Sequence, residues 1–577
     1  MSLRKMLQEV NAGRASPDRH AAAENVNDTD GDALGAQFEP DDDDDDDDDE
    51  LPLEGDAYDA YLDAMARACK RDDRRQSIYI TDNESVLVDE AIAALAQRSV
   101  VYQHAGELAV INYDPEDKSY RMTALKVPGV RRELSRAAVF YKKGKKGKKG
   151  PRTINIPTPL PGMVHSAGTF PDVRPLRGIS PVPILHADGS VFAEPGQYDP
   201  STGLAYYPTR EYRSLSETTP TLDEAKTAAQ EILAVYNDFP FEAEADKAAV
   251  VALILTLIAR HLVEGPTPAF MVKANVPGAG KGKVIETAVA IALGVDVAIM
   301  TPTDDEAEDR KQITACLRAG DRVIAFDNVL KFGGAVWDGL LTSTKWSGRN
   351  LGKTEQLKLP VNAVVTVTSN GCRLIGDAGR RTLPIRLHTD EPRPELRSDF
   401  KAELPHDAIA NHPHLFMCAL IILRYGLTLT SNPGHWGSYE NWCRIVRRTV
   451  TAVLTDPCAT RDGIKDSDET LNTLRSLLST ICVLGAGNEW TSSELIKASR
   501  PQRDDTGQIV GPGDEALAEA LAGLVGDADR VIAQSVGVAL KTHLERRVEL
   551  ADGSRAWLTR RMLDGRPRWR VETEVPP

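Results

Sequence analysis

Residues 268–283 read Pro-Ala-Phe-Met-Val-Lys-Ala-Asn-Val-Pro-Gly-Ala-Gly-Lys-Gly-Lys. The apolar run up to Ala274 predicts a strand, and the residues from Lys283 onward predict a helix. A glycine-rich turn between a strand and a helix gathers backbone N–H groups at the positive end of the helix dipole, where they cradle an anion such as phosphate. Gly278 and Gly280 let the backbone close round it, and Lys281 has the reach for the outer phosphate oxygens. Pro277, Gly278, Ala279, Gly280, Lys281, Gly282 and Lys283 are therefore the candidate nucleotide-binding residues. Two positions depart from the G-x-x-x-x-G-K-[ST] pattern: Asn275 stands for the first Gly, and Gly282 for the hydroxyl residue that meets magnesium.

Two further apolar runs end in polar residues at regular intervals. Val323-Ile-Ala-Phe-Asp327 closes 46 residues after Lys281, and Val364-Val-Thr-Val-Thr-Ser-Asn370 closes 43 after Asp327. Asp327 is the candidate Mg²⁺ ligand. The next position often carries a Glu that activates water; here Asn328 can orient water but cannot take its proton. Slow hydrolysis follows, or another acid serves, with Glu306 and Glu308 in the stretch Asp304-Asp-Glu-Ala-Glu308 as candidates. The Asn370 amide would bridge attacking water and the γ-phosphate. Arg380 and Arg381, in Gly-Asp-Ala-Gly-Arg-Arg, suit a cationic finger on a neighbouring subunit's ATP, which requires a ring. Each site has a plain structural alternative: a glycine turn, a strand-end Asp or Asn, a surface ion pair.

The order PGAGKGK, AFDN, a basic hairpin segment, TSN and RR resembles AAA+ ATPases of the superfamily 3 helicase type, most nearly the primase-helicases of phages and integrated mobile elements. ILHADGSVFAEPGQYDPSTGL at 184–204 and TSTKWSGRNLGKTE at 342–355 extend the resemblance over about 75–577. It implies an α/β P-loop AAA+ core with a parallel sheet, ATP and Mg²⁺ as cofactors, and a homo-oligomeric, hexameric ring moving on DNA. It also implies a hairpin before the third strand that grips DNA in the channel, for which Lys353 is the first candidate, Lys345 the second, with Arg349 and Lys358 nearby. No acidic triad of a primase lies upstream.

Residues 555–570 hold six arginines (555, 560, 561, 566, 568, 570) with Trp557 and Trp569 and one acid, Asp564. Alternation along a strand is expected to turn the tryptophans inward and the arginines outward. With Lys541, Arg546 and Arg547 on a helix expected at about 531–547, this fits a winged helix that takes duplex DNA through Arg560, Arg561 and Arg568, or one that makes protein contacts.

The formal charge of −16 belongs to one end. Residues 1–63 carry 21 acidic and 4 basic side chains, including Asp41 to Asp49; the remainder carries 64 and 65. Such a run repels itself and buries nothing, so disorder is expected, serving either solubility or mimicry of nucleic acid. Seven scattered cysteines show no C-x-x-C pair and no zinc-like cluster, as expected of reduced thiols in a cytoplasmic protein. The longest apolar stretch, Ala248 to Ala259, is 12 residues, too short to cross a membrane. No apolar leader precedes the tail, so secretion is not expected.

The expected organisation is a tail (1–63), a small N-terminal α+β domain (64–140), a Lys/Gly linker (141–152) that solvates or touches phosphates, and an irregular β segment (153–215). The helical lead-in and nucleotide core follow (216–399), then a helical segment (400–456) and a C-terminal helical/winged-helix domain (457–577). A T-x-x-E box at Thr221 and Glu224 predicts the start of the lead-in helix. Two functional classes fit: an ATP-dependent DNA helicase or translocase, or an initiator or loader in which nucleotide stabilises the assembly on DNA. An assembly factor that does not touch DNA is the third.

Overall fold

The computed structural model describes residues 75–116, 118–142, 151–213, 218–303, 305–349, 356–461, 469–485, 487–503, 509–511, 513–526 and 530–574. The acidic tail, Cys69, most of the Lys/Gly segment, Asp304 and Lys353 lie outside them.

The centre is a five-stranded sheet made of β1 (Ala269–Ala274), β2 (Ile299–Met300), β3 (Val323–Phe326), β4 (Val364–Ser369) and β5 (Thr382–Leu387), in the order β2-β3-β4-β1-β5. Every neighbouring pair is parallel. Strands of such a sheet are covered on both faces and therefore read as unbroken apolar runs rather than alternating ones. All six residues of β4 are buried. Because all five strands run the same way, the ends of β1, β3 and β4 share one edge, with β4 between the other two. Lys273 pairs with Ser369, and Phe326 with Val367, so the three ends are nearly level.

The covering helices are α1 (Leu222–Ala234), α2 (Glu244–Ala259), α3 (Lys281–Leu293), α4 (Glu306–Ala319) and α5 (His412–Leu427). Helix α1 starts at the predicted capping box, with Thr221 and Glu224 bonded reciprocally. Helix α2 is buried from Ala248 to Ala259 without a polar face, so it is a core helix rather than a surface one.

The segment at 400–456 is no separate body. Phe416, Trp436, Tyr439 and Trp442 join one hydrophobic cluster with α2, α3, β1 and β5. The Trp442 indole donates to Thr256 Oγ1 at 2.8 Å, and the Tyr439 hydroxyl to the Leu341 carbonyl at 3.1 Å. Upstream, two small three-stranded sheets and the helices Glu84–Ala96 and Val127–Ala137 form an α+β unit. Its core extends past residue 140 to take in Leu160, Val164, Phe170 and Val173, whereas Val182 and Leu185 join the central core. Residues 153–215 thus bridge two cores.

The C-terminal unit has its own core: α6 (Glu469–Gly485), α7 (Ser492–Ser499), α8 (Glu515–Val525) and α9 (Ala533–Thr542) pack beneath the hairpin β6 (Arg555–Leu563) and β7 (Arg566–Glu574). Asp564 and Gly565, at φ 49° and 72°, make its two-residue turn. Helix α9 ends at Thr542, so Lys541 lies on it and Arg546 and Arg547 beyond it, a correction to the longer helix expected. Trp569 points inward and is 2% exposed, donating to Ser492 Oγ at 3.0 Å. Trp557 does not point inward: it lies on the outer face, with the Arg547 guanidinium 4.6 Å from its ring centre.

Candidate nucleotide and nucleic-acid sites

Between β1 and α3 the chain turns through Gly278 and Gly280, at φ 78° and 90°. Both are left-handed conformations that side chains resist. A side chain would also be crowded: a Cβ at Gly278 would lie 2.8 Å from Glu395 Oε2, and one at Gly280 3.0 Å from Phe239 Cε1. Gly280 is the N-cap of α3, so the first N–H groups of that helix open onto the turn. Asn275, the departure at the start of the loop, has a local use. Its side-chain amide donates to the Thr389 carbonyl at 2.8 Å and accepts from the Thr389 N–H at 3.1 Å, tying the loop to the exit of β5. Sequence reasoning missed this clamp, although an Asn in a glycine position was the signal.

Lys281 opens α3 and is 9% exposed. Its Nζ donates to Asn370 Oδ1 at 2.6 Å, joining residues 89 apart in the chain. Burial lowers the lysine pKa, and the nearby Asp327 carboxylate works against that. Asp327 sits exposed just past β3, where its Oδ1 accepts from the Thr368 hydroxyl. The same hydroxyl accepts the Asn328 N–H at 2.8 Å. Thr368 was not foreseen, though a Thr two residues before a strand-end Asn is visible in the sequence. Asn328 has φ 53°, a conformation that Asn tolerates better than Glu. Three predicted residues, Lys281, Asp327 and Asn370, therefore meet at one sheet edge.

The stretch after β2 emerges at that edge too. Glu306 lies against Gly334, where a Cβ would be 2.6 Å from its Oε1. Glu308 pairs with Lys311 at 2.9 Å. On α3, one turn on from Gly282, Glu286 Oε1 lies 3.5 Å from the Cβ position of that glycine, and its other oxygen pairs with Lys283 at 3.3 Å.

Arg380 and Arg381 lie elsewhere. They precede β5, whose first residue pairs with the first of β1, so they sit at the opposite edge of the sheet. Six strand residues separate the edges, roughly 20 Å. Arg381 is 7% exposed; Asp377 holds it at 2.8 Å, and it donates to the Asp338 carbonyl at 3.2 Å. The Arg380 side chain is 54% exposed, and Asp377 is its partner. The two arginines hold the Asp377 carboxyl well below the usual carboxylate range, Arg380 most strongly.

The basic hairpin exists: Lys345–Arg349 pairs antiparallel with Gln356–Pro360, and its tip lies outside the described residues. Its base is fixed by Trp346, 4% exposed, whose indole donates to Thr314 Oγ1 on α4 at 2.9 Å. Lys345 is exposed, and so is Lys358, which stands opposite Ser347 on the facing strand. Arg349 lies two positions beyond Ser347, at the last paired position. On the C-terminal hairpin, Arg561 stands opposite Arg568, and Leu563 opposite Arg566. Arg561, 74% exposed at its side chain, stands 3.8 Å from Glu489, and Arg568, at 29%, pairs more closely with Glu494 at 3.1 Å. Arg560 is exposed on the other face of the strand.

No protein-family model matches the chain, and no curated protein does. Among solved structures the chain is similar to an apo form of the NrS-1 C-terminal region, at 12% identity and a TM-score of 0.29 over 80% of this chain and 95% of that one. It is also similar to the SCCmec type IV Cch active helicase, at 11% identity and a TM-score of 0.27 over 72% of this chain and 86% of that one. Overlap at this level says nothing of function. No helix among the described residues is long and apolar enough to cross a membrane.

Proposed function

We propose that this chain is an ATP-dependent motor on DNA, a helicase or translocase of a phage or mobile-element replication system that works as a ring of copies, six by resemblance. One observation carries the reading: Lys281, Asp327 and Asn370, from three separate motifs, converge at the carboxyl ends of three adjacent parallel strands, with Lys281 bonded to Asn370 at 2.6 Å. Crevices at such strand ends are where α/β sheets bind ligands.

ATP would lay its phosphates over the N-terminus of α3, and Lys281 would exchange Asn370 for phosphate oxygen. Mg²⁺ fits the donor set: Asp327 would hold it, with Glu286 reaching the place left by Gly282. When bound, the ion draws charge from the transferring phosphoryl group. Asn370, released, would position the attacking water, and Glu306 would take its proton in preference to Glu308, which Lys311 holds. Arg380 is too far to serve its own site and is exposed enough to serve a neighbour's. The Lys345 hairpin would grip single-stranded DNA through phosphates without reading sequence, and the arginine face of the C-terminal hairpin would hold duplex.

The test is ATP hydrolysis by the purified chain, with and without single-stranded DNA, beside Lys281→Ala. Turnover that DNA stimulates and the variant abolishes supports the motor. A second reading has its own observation: Asn328 in a left-handed conformation, where a proton-accepting Glu is common. ATP binding without turnover would favour that reading, a nucleotide-gated initiator or loader.

A further inference from the structure

Glu231 on α1 and His414 and Cys418 on α5 place three donor atoms within 4.8 Å of one another. His414 and Cys418 are four residues apart, one above the other on a single face of α5. Glu231 comes from the helix packed against that face, 183 residues earlier than His414. Such a pairing is invisible as cysteine spacing. The separations are 2.5 Å for His414 Nε2 to Glu231 Oε2, 3.5 Å for Cys418 Sγ to the same oxygen, and 3.9 Å for Cys418 Sγ to His414 Nε2.

Tetrahedral zinc with ordinary bond lengths needs donor separations of roughly 3.4–3.6 Å. The sulfur–oxygen distance already matches. The sulfur–nitrogen distance must close by a few tenths of an ångström. The nitrogen–oxygen distance must open by about 0.9 Å to reach that range, and the Glu231 side chain, 44% exposed, has room to turn. Cys418 is 4% exposed, and the His414 side chain is 55% exposed, so a metal here would be anchored from the core and open to water on its fourth side.

We propose that Glu231, His414 and Cys418 form a binding site for a borderline-soft divalent cation of the zinc type, separate from the nucleotide site. The mixed sulfur, nitrogen and oxygen donors select such an ion over Mg²⁺, which takes oxygen alone. The sulfur binds as thiolate, its proton passing to water. The ion would staple α1 to α5. Two residues before His414, His412 packs against Gly294 at the end of α3, where a Cβ would lie 2.6 Å from its Cδ2. The staple therefore braces the helix whose other end is the nucleotide loop.

The experiment titrates Co²⁺ into the reduced full-length protein without nucleotide and follows the thiolate-to-cobalt charge-transfer band. One equivalent should bind and be displaced by Zn²⁺. Cys418→Ser should abolish the band. His414→Ala, at an exposed position that folding does not need, should weaken binding at least tenfold. Cys316→Ser, whose thiol lies 3.6 Å from Met300 Sδ and away from the cluster, should change nothing. Absence of the band in the native protein overturns the proposal, and so does a band that survives Cys418→Ser or an affinity unmoved by His414→Ala.

Discussion

Lys281 Nζ and Asn370 Oδ1 lie 2.6 Å apart, and this bond spans from the first residue of α3 to the residue after β4. Under the proposed function, Lys281 would anchor phosphate and Asn370 would sense it. Nucleotide would then have to break this bond to take the lysine, which would couple occupancy of the loop to the end of β4. Lys281→Ala should therefore lower ATP affinity at least tenfold in a fluorescent-nucleotide titration. Asn370→Ala should leave affinity within about threefold and cut turnover at least tenfold, since its amide would position water at the γ-phosphate rather than anchor the nucleotide. Native affinity in Lys281→Ala would sink the assignment of the loop.

The gap at Gly282 gives a compensation test. If Glu286 supplies what a hydroxyl residue supplies elsewhere, Glu286→Gln should raise the Mg²⁺ concentration needed for nucleotide binding about fivefold. Affinity measured in excess chelator should not move. Adding Gly282→Ser to Glu286→Gln should recover much of the metal dependence. Independent, additive effects of the two changes would remove Glu286 from the site.

Much of the centre was legible because parallel strands buried on both faces have to be apolar throughout, so the polar residues that end them stand out. Asp327 and Asn370 were found that way, and α1 by its capping box. What stayed hidden depended on packing between distant residues. Nothing local says that Trp442 will donate to Thr256 and draw 400–456 into the central core, or that Glu395 and Phe239 will crowd the two loop glycines. The phase of the C-terminal hairpin was within reach. Once the turn at Asp564 sets Leu563 opposite Arg566, Trp569 falls opposite Arg560 and Trp557 opposite Glu572. Trp557 and Arg560 lie three positions apart on one strand, an odd number, so the two indoles must face opposite ways.

The two arginines before β5 should separate by assay. Arg381 is buried while its partners Asp338 and Asp377 are partly exposed and Asp377 keeps Arg380, so truncating it removes packing and the bond to the Asp338 carbonyl rather than stranding a buried charge. Arg381→Ala should show a lowered melting temperature. Arg380→Ala should melt within a degree or two of native protein and lose turnover only where copies assemble. Mixing Arg380→Ala with Lys281→Ala should restore some hydrolysis if arginine and lysine serve one site from two chains. No recovery in an assembled mixture would count against action in trans.

A pH dependence follows from Asp199, which is 2% exposed. Burial alone would raise its pKa, but hydrogen bonds from Thr202, His186 and Ser201 outweigh it and bring the value down to about 2. A depressed carboxyl adds stability above its unfolded pKa and loses it as pH falls toward the folded one. The contribution, about 2 kcal/mol, should be full above about pH 5 and gone only below about pH 2. Urea unfolding of native protein and Asp199→Asn should differ most at pH 5 to 6 and converge on acidification. A difference that stays constant down to pH 2 would mean packing rather than charge.

The C-terminal arginines divide by face. Arg561, opposite Arg568, shares the outer face with Arg566, which stands opposite Leu563, while Arg560 points the other way. Arg568 is already committed to Glu494, and exposed pairs of that kind contribute little to stability but restrain the side chain. If duplex DNA lies on the outer face, Arg561→Ala with Arg566→Ala should weaken binding uniformly across sequences. Each lost phosphate contact lowers the slope of log affinity against log salt by about 0.9, so the pair should lower it by roughly 2. Arg560→Ala should leave the slope alone. Equal losses from Arg560 and Arg561 would mean that DNA runs along the hairpin edge, and no loss from either would make this unit a protein-binding module.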